Sequence, residues 1–373
     1  MSSEYESLDG GKVYRSLFNS KSIILAVNPR FNLGILEGIF KAGKEMNTII
    51  IFELARSECD LNGGYTGLTP QTFANNVRSV AKKVGNPNFI IHGDHITIKK
   101  RSDEIIASTK KLIKNQIENG YKSFAIDASF LFNLKGKSTY EQLEDNIKVT
   151  TELANYIKDN AGNIEYGLEV EVGEIGKRDV NGLVYTTIDE ALTYIKALNE
   201  NDIHPNFLAI ANGSTHGNIY DKNGKPIEQI TIDIPRTIEI AKAIEPYNVR
   251  IAQHGITGTP LDLIQKHFPK GLIGKGNVGT YWQNIVWNVL QENEPEIFQA
   301  IKKWVLDKYK ASNPTKNDVE IFGKNSKYAF KEFFNQLHSI KVETINKLID
   351  SAFIEAKKFL TAFDSINTIK FLN

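Results

Sequence analysis

The sequence of 373 residues is poor in cysteine, in net charge and in long apolar runs. Its one cysteine, Cys59, excludes an internal disulfide and favours a reducing compartment. The 45 Lys and Arg residues balance 44 Asp and Glu residues, so the charge gives no indication of a nucleic-acid or membrane surface. No apolar run approaches the roughly 20 residues that cross a bilayer.

The N-terminal segment also lacks the pattern of a secretion signal. It begins Met-Ser-Ser-Glu-Tyr-Glu, which is acidic and polar, with no basic region before an apolar core. We therefore expect a cytoplasmic protein whose partners are neither membranes nor nucleic acids.

Eight short apolar runs recur along residues 1–290, mostly separated by amphipathic stretches. They are Ser22–Val27, Thr48–Phe52, Asn88–His92, Ser123–Ile126, Glu165–Val172, Phe207–Ala211, Arg250–Ala252 and Gly271–Ile273. Strands that alternate with helices form parallel sheets with right-handed crossovers, and eight such units predict a TIM (β/α)8 barrel. The G-x-G-x-x-G fingerprint that would favour an open doubly wound sheet is absent after the first run.

After Trp287 the strand pattern stops and helical periodicity continues. The pattern predicts a helical C-terminal extension over residues 291–373, with helices at Glu294–Tyr309 and Ser326–Phe363. We expect this extension to pack on the barrel or on a neighbouring subunit.

Four of the predicted strands end in a histidine or an acid next to a glycine or a polar turn. The segments are Ile-Ile-His-Gly-Asp-His (90–95), Leu-Glu-Val-Glu-Val-Gly (168–173), Ile-Ala-Asn-Gly-Ser-Thr-His-Gly (210–217) and Ile-Ala-Gln-His-Gly-Ile-Thr-Gly (251–258). In a TIM barrel the C-terminal strand ends form the active site. Three imidazoles and a carboxylate there suit a divalent metal with an open coordination position. The predicted ligands are His95, His216, His254 and Glu171.

The neighbours of these residues have alternative interpretations. Asp94, beside His95, can exchange a proton while a metal polarises a carbonyl group, whereas His92 carries no second signal and is interpreted as structural. Glu169 and Glu171 alternate along one strand and face the same way. For this buried acid pair, a salt bridge to a buried lysine is the alternative to a metal.

Glycine-containing turns after the sixth, seventh and eighth strands predict a substrate-binding region. Loops after strands seven and eight of this fold often bind phosphate through backbone N–H groups and a helix N-terminus. The candidate substrate-binding residues are Gly217, Gly255, Thr257, Asn277, Gly279 and Thr280.

Together these segments resemble the class II, metal-dependent ketose-bisphosphate aldolases, from about Ser22 to Trp287. The similar segments are Asp94-His95, Glu169-Val-Glu171-Val-Gly173, Gly213-Ser-Thr-His216-Gly217, His254-Gly-Ile-Thr257-Gly258 and Lys275-Gly-Asn277-Val-Gly-Thr280. A narrower segment, Gly63-Gly-Tyr-Thr-Gly-Leu-Thr-Pro70, is similar to the accessory subunit of tagatose-bisphosphate aldolase. Relatives of that subunit include sugar-phosphate 4-epimerases.

The resemblance implies a lyase of carbohydrate metabolism, such as glycolysis. It would cleave a ketose (bis)phosphate, for example fructose- or tagatose-1,6-bisphosphate, into dihydroxyacetone phosphate and an aldehyde. It implies a homo-oligomer (a dimer or tetramer) and a divalent metal, for which zinc suits the histidines best, with cobalt, manganese and iron as alternatives. Asp94 would exchange a proton with the aldehyde oxygen, and Asn277 would orient the enediolate. Two alternatives stay open: a C4 epimerase that uses the same retro-aldol step, and a non-catalytic accessory subunit.

The chain departs from the family in the loop after the fifth strand. The family's loop carries an acid that moves the enolisation proton, whereas the shorter Gly176-Lys-Arg-Asp179 leaves Asp179 as the candidate. Arg178 is either a solvated charge or a clamp for a second anionic group. Gly279 stands where the family has an acid, and Tyr220 where many relatives have a lysine.

Overall fold

The computed structural model describes residues 4–179, 182–221 and 223–372, and for residues 178 and 179 it describes the backbone alone. Within these residues, eight parallel strands close into a barrel in sequential order, which confirms the predicted TIM barrel. The barrel strands are β1 (Ile24–Val27), β2 (Ile50–Ala55), β3 (Phe89–Thr97), β4 (Ser123–Asp127), β5 (Gly167–Val172), β6 (Phe207–Ile210), β7 (Arg250–Gln253) and β8 (Ile273–Val278).

Two of the barrel strands extend further than the apolar pattern predicts. Strand β3 continues past His92 through a bulge, where its register with β4 shifts between Gly93 and Ile96 and His95 has a φ of +36°. Strand β8 begins at Ile273, where the predicted strand ends, and continues to Val278. Its polar residues Lys275 and Asn277 are buried inside the barrel. Both extensions carry polar side chains that the apolar pattern could not assign to a strand.

Helices surround the barrel and connect its strands. They are α1 (Gly10–Ser16), α2 (Ile35–Glu45), α3 (Pro70–Val84), α4 (Asp103–Glu118), α5 (Thr139–Asn160), α6 (Ile188–Glu200), α7 (Ile234–Ile244), α8 (Leu261–His267) and α9 (Thr280–Asn293). Several begin where the sequence provides a cap: the Thr69 and Thr187 side chains each accept a backbone N–H three residues later, in a capping box.

Helix α1 lies beneath the N-terminal end of the barrel. The hydroxyl of Tyr14 is 2.9 Å from Oγ of Ser123, at the start of β4. Its ring centre lies 4.6 Å from that of Phe207, at the start of β6. Because Tyr14 is almost fully buried, α1 covers this end of the barrel and leaves the opposite end for the site.

The C-terminal extension differs from the prediction of one helix over Ser326–Phe363, which is wrong. The described helices are α10 (Pro295–Tyr309), α11 (Asp318–Asn325), α12 (Ala329–Glu332), α13 (Phe334–Leu337) and α14 (Val342–Ala362). The break before α14 has a tertiary cause. One carboxylate oxygen of Glu294 accepts the Lys341 backbone N–H at 2.9 Å and the Thr344 hydroxyl at 2.7 Å. These bonds give the Lys341 N–H and the Thr344 hydroxyl an acceptor at the start of α14. They also hold the backbone extended at Lys341.

The extension packs on the chain's own barrel. Helix α14 lies so close to α2 that a Cβ atom at Gly38 would be 2.3 Å from the carbonyl oxygen of Ile349. Phe330 stacks on Trp287 of α9, with 4.6 Å between ring centres, as expected for a packing residue. Among the described residues, no helix combines the length and the apolar character needed to cross a bilayer.

Candidate active site

Three histidines meet at the C-terminal end of the barrel. His95 comes from the bulged end of β3, and His216 and His254 follow β6 and β7. The ring centres of His95 and His254 are 4.4 Å apart, those of His95 and His216 are 5.2 Å apart, and those of His216 and His254 are 6.2 Å apart. The structure therefore brings together the three imidazoles that the strand-end pattern singled out.

Two of these histidines, together with Asp94, have ligand atoms close enough to hold a metal ion, whereas the ligand atoms of His216 lie further away. Nε2 of His95 is buried and has no hydrogen-bond partner in the described part of the chain. Asp94, His95 and His254 each offer a ligand atom, and these atoms lie within 4.8 Å of one another. A buried ring nitrogen without a partner costs free energy, and a divalent ion is the partner that a cluster of imidazoles accepts.

Glu171 lies against His95. Its Oε2 is 3.1 Å from Nδ1 of His95, and Oδ2 of Asp127 is 3.6 Å from the same nitrogen. Burial, followed by the nearby Asp127 carboxylate, raises the pKa of Glu171 to about 8. Glu171, predicted as a metal ligand, thus belongs to a group with His95 and Asp127 whose ligand atoms lie close enough to hold an ion, and it also contacts the imidazole of His95.

His254 is held from inside the barrel by a buried charge network. Its Nε2 is 2.6 Å from Oε1 of Glu169, whose Oε2 accepts from Nζ of Lys275 at 2.7 Å. Lys275 also pairs with Glu53 at 2.8 Å, and these three ionisable side chains are at most 2% exposed. The alternative of a salt bridge to a buried lysine therefore holds for Glu169, and this bridge fixes the ring of His254.

His92 belongs to the same interior network and not to the histidine cluster. Its Nδ1 is 2.6 Å from Oγ of Ser123, and its Nε2 is 3.2 Å from Nζ of Lys275. Burial, followed by the charge of Lys275, lowers the pKa of His92 to about 3, so the ring is neutral. This arrangement agrees with the structural interpretation of His92.

Asp94 presents a carboxylate to the cavity beside His95. Its Oδ2 accepts from Nδ2 of Asn28 at 3.0 Å, whereas its Oδ1 is buried without a partner in the described residues. Burial alone would raise the pKa of Asp94, but His95 and then Lys275 hold the pKa below its ordinary value. Asp94 is therefore an ionised carboxylate with one oxygen available. Asn28, which holds it, directly follows β1 and is missing from the predicted site.

The candidate substrate-binding residues line the same cavity, which has a volume of about 670 Å³. Gly279 caps α9, and the backbone N–H of Tyr281 donates to Oγ1 of Thr257 at 3.2 Å. Asn277 donates to Oε1 of Glu53 at 2.7 Å and keeps a buried Oδ1 without a partner among the described residues. The predicted set meets at this cavity, and its members are Gly217, Gly255, Thr257, Asn277, Gly279 and Thr280.

The loop after β5 forms a short antiparallel pair between Arg178–Asp179 and Gly182–Leu183. Anion clamping is predicted for Arg178 and proton transfer for Asp179. The structure describes the backbone of these two residues and not their side chains, so both predictions lie outside the described part of the chain. The sequence prediction also omits other residues that line the cavity, among them Arg30, Glu58, Tyr65 and Lys327. Arg30 follows β1 closely, which is a usable signal, whereas Lys327 lies in the extension, far from any strand end.

Comparisons with known proteins identify the family of this chain. The family model described as fructose-bisphosphate aldolase class-II matches residues 12–336. The D-tagatose-1,6-bisphosphate aldolase subunit GatZ of Escherichia coli (strain K12) is 26% identical over 101 residues. That match covers 26% of this chain and 24% of GatZ, so it spans about a quarter of the relative's length.

Solved structures with the same fold include aldolases and an epimerase. The YdjI aldolase of Escherichia coli K12 is 18% identical with a TM-score of 0.60, over 95% of this chain and 97% of that one. The fructose-bisphosphate aldolase of Campylobacter jejuni is 17% identical with a TM-score of 0.60, over 97% of both chains. The fructuronate-tagaturonate epimerase UxaE of Cohnella laeviribosi is 10% identical with a TM-score of 0.62, over 95% of this chain and 82% of that one.

At these identities the solved structures establish the fold alone, whereas the family model covers most of the chain. From the match over residues 12–336, the chain belongs to the class II fructose-bisphosphate aldolase family.

Proposed function

We propose that this chain is a metal-dependent aldolase that cleaves and forms the C3–C4 bond of a phosphorylated ketose. The observation that carries the proposal is the convergence of three imidazoles beside an ionised carboxylate, with Nε2 of His95 buried and without a partner among the described residues. The products of cleavage would be dihydroxyacetone phosphate and an aldehyde.

The metal site would be formed by His95, His216 and His254, and nitrogen ligation suits zinc best among the candidate ions. A divalent ion bound there supplies Lewis-acid stabilisation to the oxygens of the three-carbon ketone. Glu171 holds Nδ1 of His95, and Glu169 holds Nε2 of His254, so both rings are oriented before an ion binds.

Asp94 is the proposed acid and base for the bond cleavage. Its carboxylate takes the proton of the C4 hydroxyl as the C3–C4 bond breaks and returns it to the aldehyde oxygen in the reverse direction. The hydrogen bond from Asn28 leaves Oδ1 available for this transfer. Asn277, whose Oδ1 is also without a partner in the described residues, is placed to orient the enediolate.

A sugar or sugar-phosphate C4 epimerase is the second candidate. It would use the same cleavage and then rejoin the fragments after the aldehyde has turned over. The solved epimerase UxaE covers 95% of this chain, and residues 63–70 resemble proteins related to 4-epimerases. A non-catalytic accessory role is less consistent with the buried, partnerless ligand atoms, because a purely structural subunit has no need of them.

Incubation of the metal-loaded protein with ketose phosphates distinguishes these functions. Triose products identify an aldolase, a new ketose of the same mass identifies an epimerase, and no turnover supports the accessory role. His216→Ala should remove bound metal and activity together, whereas His204→Ala should change neither, because His204 is exposed and outside the cavity. Full activity and metal content in His216→Ala would refute the assignment of the site.

The proton transfer at the three-carbon ketone is proposed for Asp179. Asp179→Asn should slow the exchange of the ketone's proton, measured by NMR in D₂O, and should leave metal affinity unchanged. If Arg178 clamps a second anionic group, Arg178→Ala should raise KM for a doubly charged substrate more than for its uncharged analogue. Equal effects on both substrates would return Arg178 to a surface role.

A further inference from the structure

Gln229 lies in the segment that follows β6, between the short antiparallel pair of Ile219–Tyr220 with Pro226–Ile227 and helix α7. Its side chain is completely buried, whereas the next residue, Ile230, is 70% exposed. A buried polar side chain beside an exposed apolar one reverses the usual distribution, because burial of an amide costs free energy unless hydrogen bonds compensate it. Gln229 does not line the active-site cavity, and the proposed mechanism gives it no role.

The amide of Gln229 forms four hydrogen bonds to the loops of the site. Its Oε1 accepts from the backbone N–H of Thr215 at 2.9 Å and from the Thr215 hydroxyl at 2.8 Å. Its Nε2 donates to the carbonyl oxygen of Gly255, and to Oγ1 of Thr259 at 3.3 Å. These partners fix the orientation of the amide, because a backbone N–H can only donate and a backbone carbonyl can only accept. One side chain therefore joins the loop after β6 to the loop after β7.

Each of the two loops carries a histidine next to the residue that Gln229 holds. Thr215 directly precedes His216, and Gly255 directly follows His254. The loops are in close contact at this point, since a Cβ atom at Gly255 would be 2.7 Å from the carbonyl oxygen of Thr215. The ring centres of His216 and His254 are 6.2 Å apart, which is the largest separation among the three histidines. Gln229 thus holds the backbone positions on which this separation depends.

The segment that carries Gln229 is itself fixed along the end of β6. The hydroxyl of Thr231 donates to the carbonyl oxygen of Gly213 at 2.7 Å. The backbone N–H of Asp233 donates to the carbonyl oxygen of Asn212 at 2.8 Å. Because these bonds follow the bonds of Gln229 along the same two segments, the position of the amide is set relative to the barrel.

We propose that Gln229 is a positioning residue of the metal site, which holds the loops of His216 and His254 at the spacing that lets both imidazoles bind one ion. This inference rests on the proposed function, because that function supplies the metal site. Gln229 acts through the backbone next to each histidine and is not itself a ligand. Replacing a residue that orients metal ligands typically lowers metal affinity about 10- to 100-fold.

The test is the zinc affinity of Gln229→Leu, measured by competition with a chromophoric chelator, together with the visible absorption spectrum of the Co²⁺-loaded protein. Leucine is similar in size and forms none of the four bonds. Zinc affinity should fall about tenfold, and the Co²⁺ spectrum should change, because a displaced imidazole alters the coordination geometry. Thr215→Val, which removes one hydroxyl, should cause a smaller loss of affinity, and Thr215→Ser should bind zinc as tightly as the parent.

Asn86→Leu is the matched control. Asn86 is also a buried amide that joins two backbone segments: its Nδ2 donates to the carbonyl oxygen of Phe40 at 3.1 Å, and its Oδ1 accepts from the backbone N–H of Asn88 at 3.0 Å. It precedes β3, at the end of the barrel opposite the site. Its replacement should lower the free energy of unfolding and leave the zinc affinity and the Co²⁺ spectrum unchanged.

A folded Gln229→Leu protein with the zinc affinity and Co²⁺ spectrum of the parent would overturn the positioning role, as would an equal loss of affinity in Asn86→Leu. If Gln229→Leu does not fold, an unchanged zinc affinity in Thr215→Val would overturn it. Loss of affinity in Gln229→Leu and Thr215→Val, in a parent that binds zinc and turns over no ketose phosphate, would keep the positioning role and refute the proposed function.

Discussion

Lys275→Met tests whether the charge network inside the barrel holds the fold and the site together. The lysine ammonium lies 2.8 Å from Glu53 and 2.7 Å from Glu169, and all three side chains are almost completely buried. Methionine has a similar length and preserves the packing of the stem. It leaves two buried acids, Glu53 and Glu169, without their cation in a region from which water is excluded.

Removing one partner of a buried ion pair costs about 3–5 kcal/mol, because the remaining charge stays buried and uncompensated. Because Lys275, Glu53 and Glu169 are inaccessible to solvent, screening does not reduce this energy. We therefore expect the free energy of unfolding to fall by about 3–5 kcal/mol. With a urea dependence of about 3 kcal/mol per M, the midpoint should fall by about 1–1.7 M.

The assay is urea unfolding followed by circular dichroism, with a chelator present so that metal binding does not contribute. Lys303→Met is the control: its pair with Asp307 is exposed, with 75% and 64% side-chain exposure, and its loss should cost less than about 1 kcal/mol. Lys275→Met/Glu169→Gln should recover part of the loss, because, despite burial, Lys275 holds the pKa of Glu169 low and the double change removes this unpaired carboxylate. If the free energy of unfolding of Lys275→Met lies within about 1 kcal/mol of that of the parent, the network does not stabilise the barrel.

Three further predictions concern packing, hydrogen bonding and thiol reactivity. Gly38→Ala should lower the free energy of unfolding by about 1–3 kcal/mol in the same urea assay, because its Cβ would be 2.3 Å from the carbonyl oxygen of Ile349. An unchanged free energy of unfolding would mean that α2 and α14 are further apart. Tyr14→Phe should cost about 0.5–1.5 kcal/mol through the lost bond to Ser123, and no change would show that this bond is not made. Cys59 is 1% exposed and burial raises its pKa, so at pH 8–9 the folded chain should keep a protonated thiol and react with a disulfide reagent much more slowly than the urea-unfolded chain. Equal rates would place Cys59 at the surface.

The barrel and the histidine cluster could both be predicted from local sequence features. Alternation of apolar runs with amphipathic stretches is a short-range property, and it identified the eight strands. The C-terminal ends of parallel strands meet at one end of a barrel. Histidines that follow three such strands are therefore expected to lie near one another, even when no contact between them is known. His95, His216 and His254 were found in this way.

The sequence was less informative where polar residues continue a strand. The bulge at Asp94 and His95 and the buried Lys275 on β8 interrupt the apolar pattern, so the pattern ends both strands too early. The break before α14 was missed for a related reason: no proline or glycine marks it, and the carboxylate of Glu294 that causes it comes from another part of the chain.

By itself, the sequence determined the fold class, the three histidines and the acid beside them, because strand-end position follows from local periodicity. Only the tertiary structure decided which partner each acid has. Glu169 meets Lys275 and His254, and Glu171 meets His95, although both acids lie on one strand and face the same way. Only the tertiary structure, again, brought Lys327 to the cavity. Such pairings depend on side-chain distances across the barrel and between the barrel and the extension, which no local pattern records.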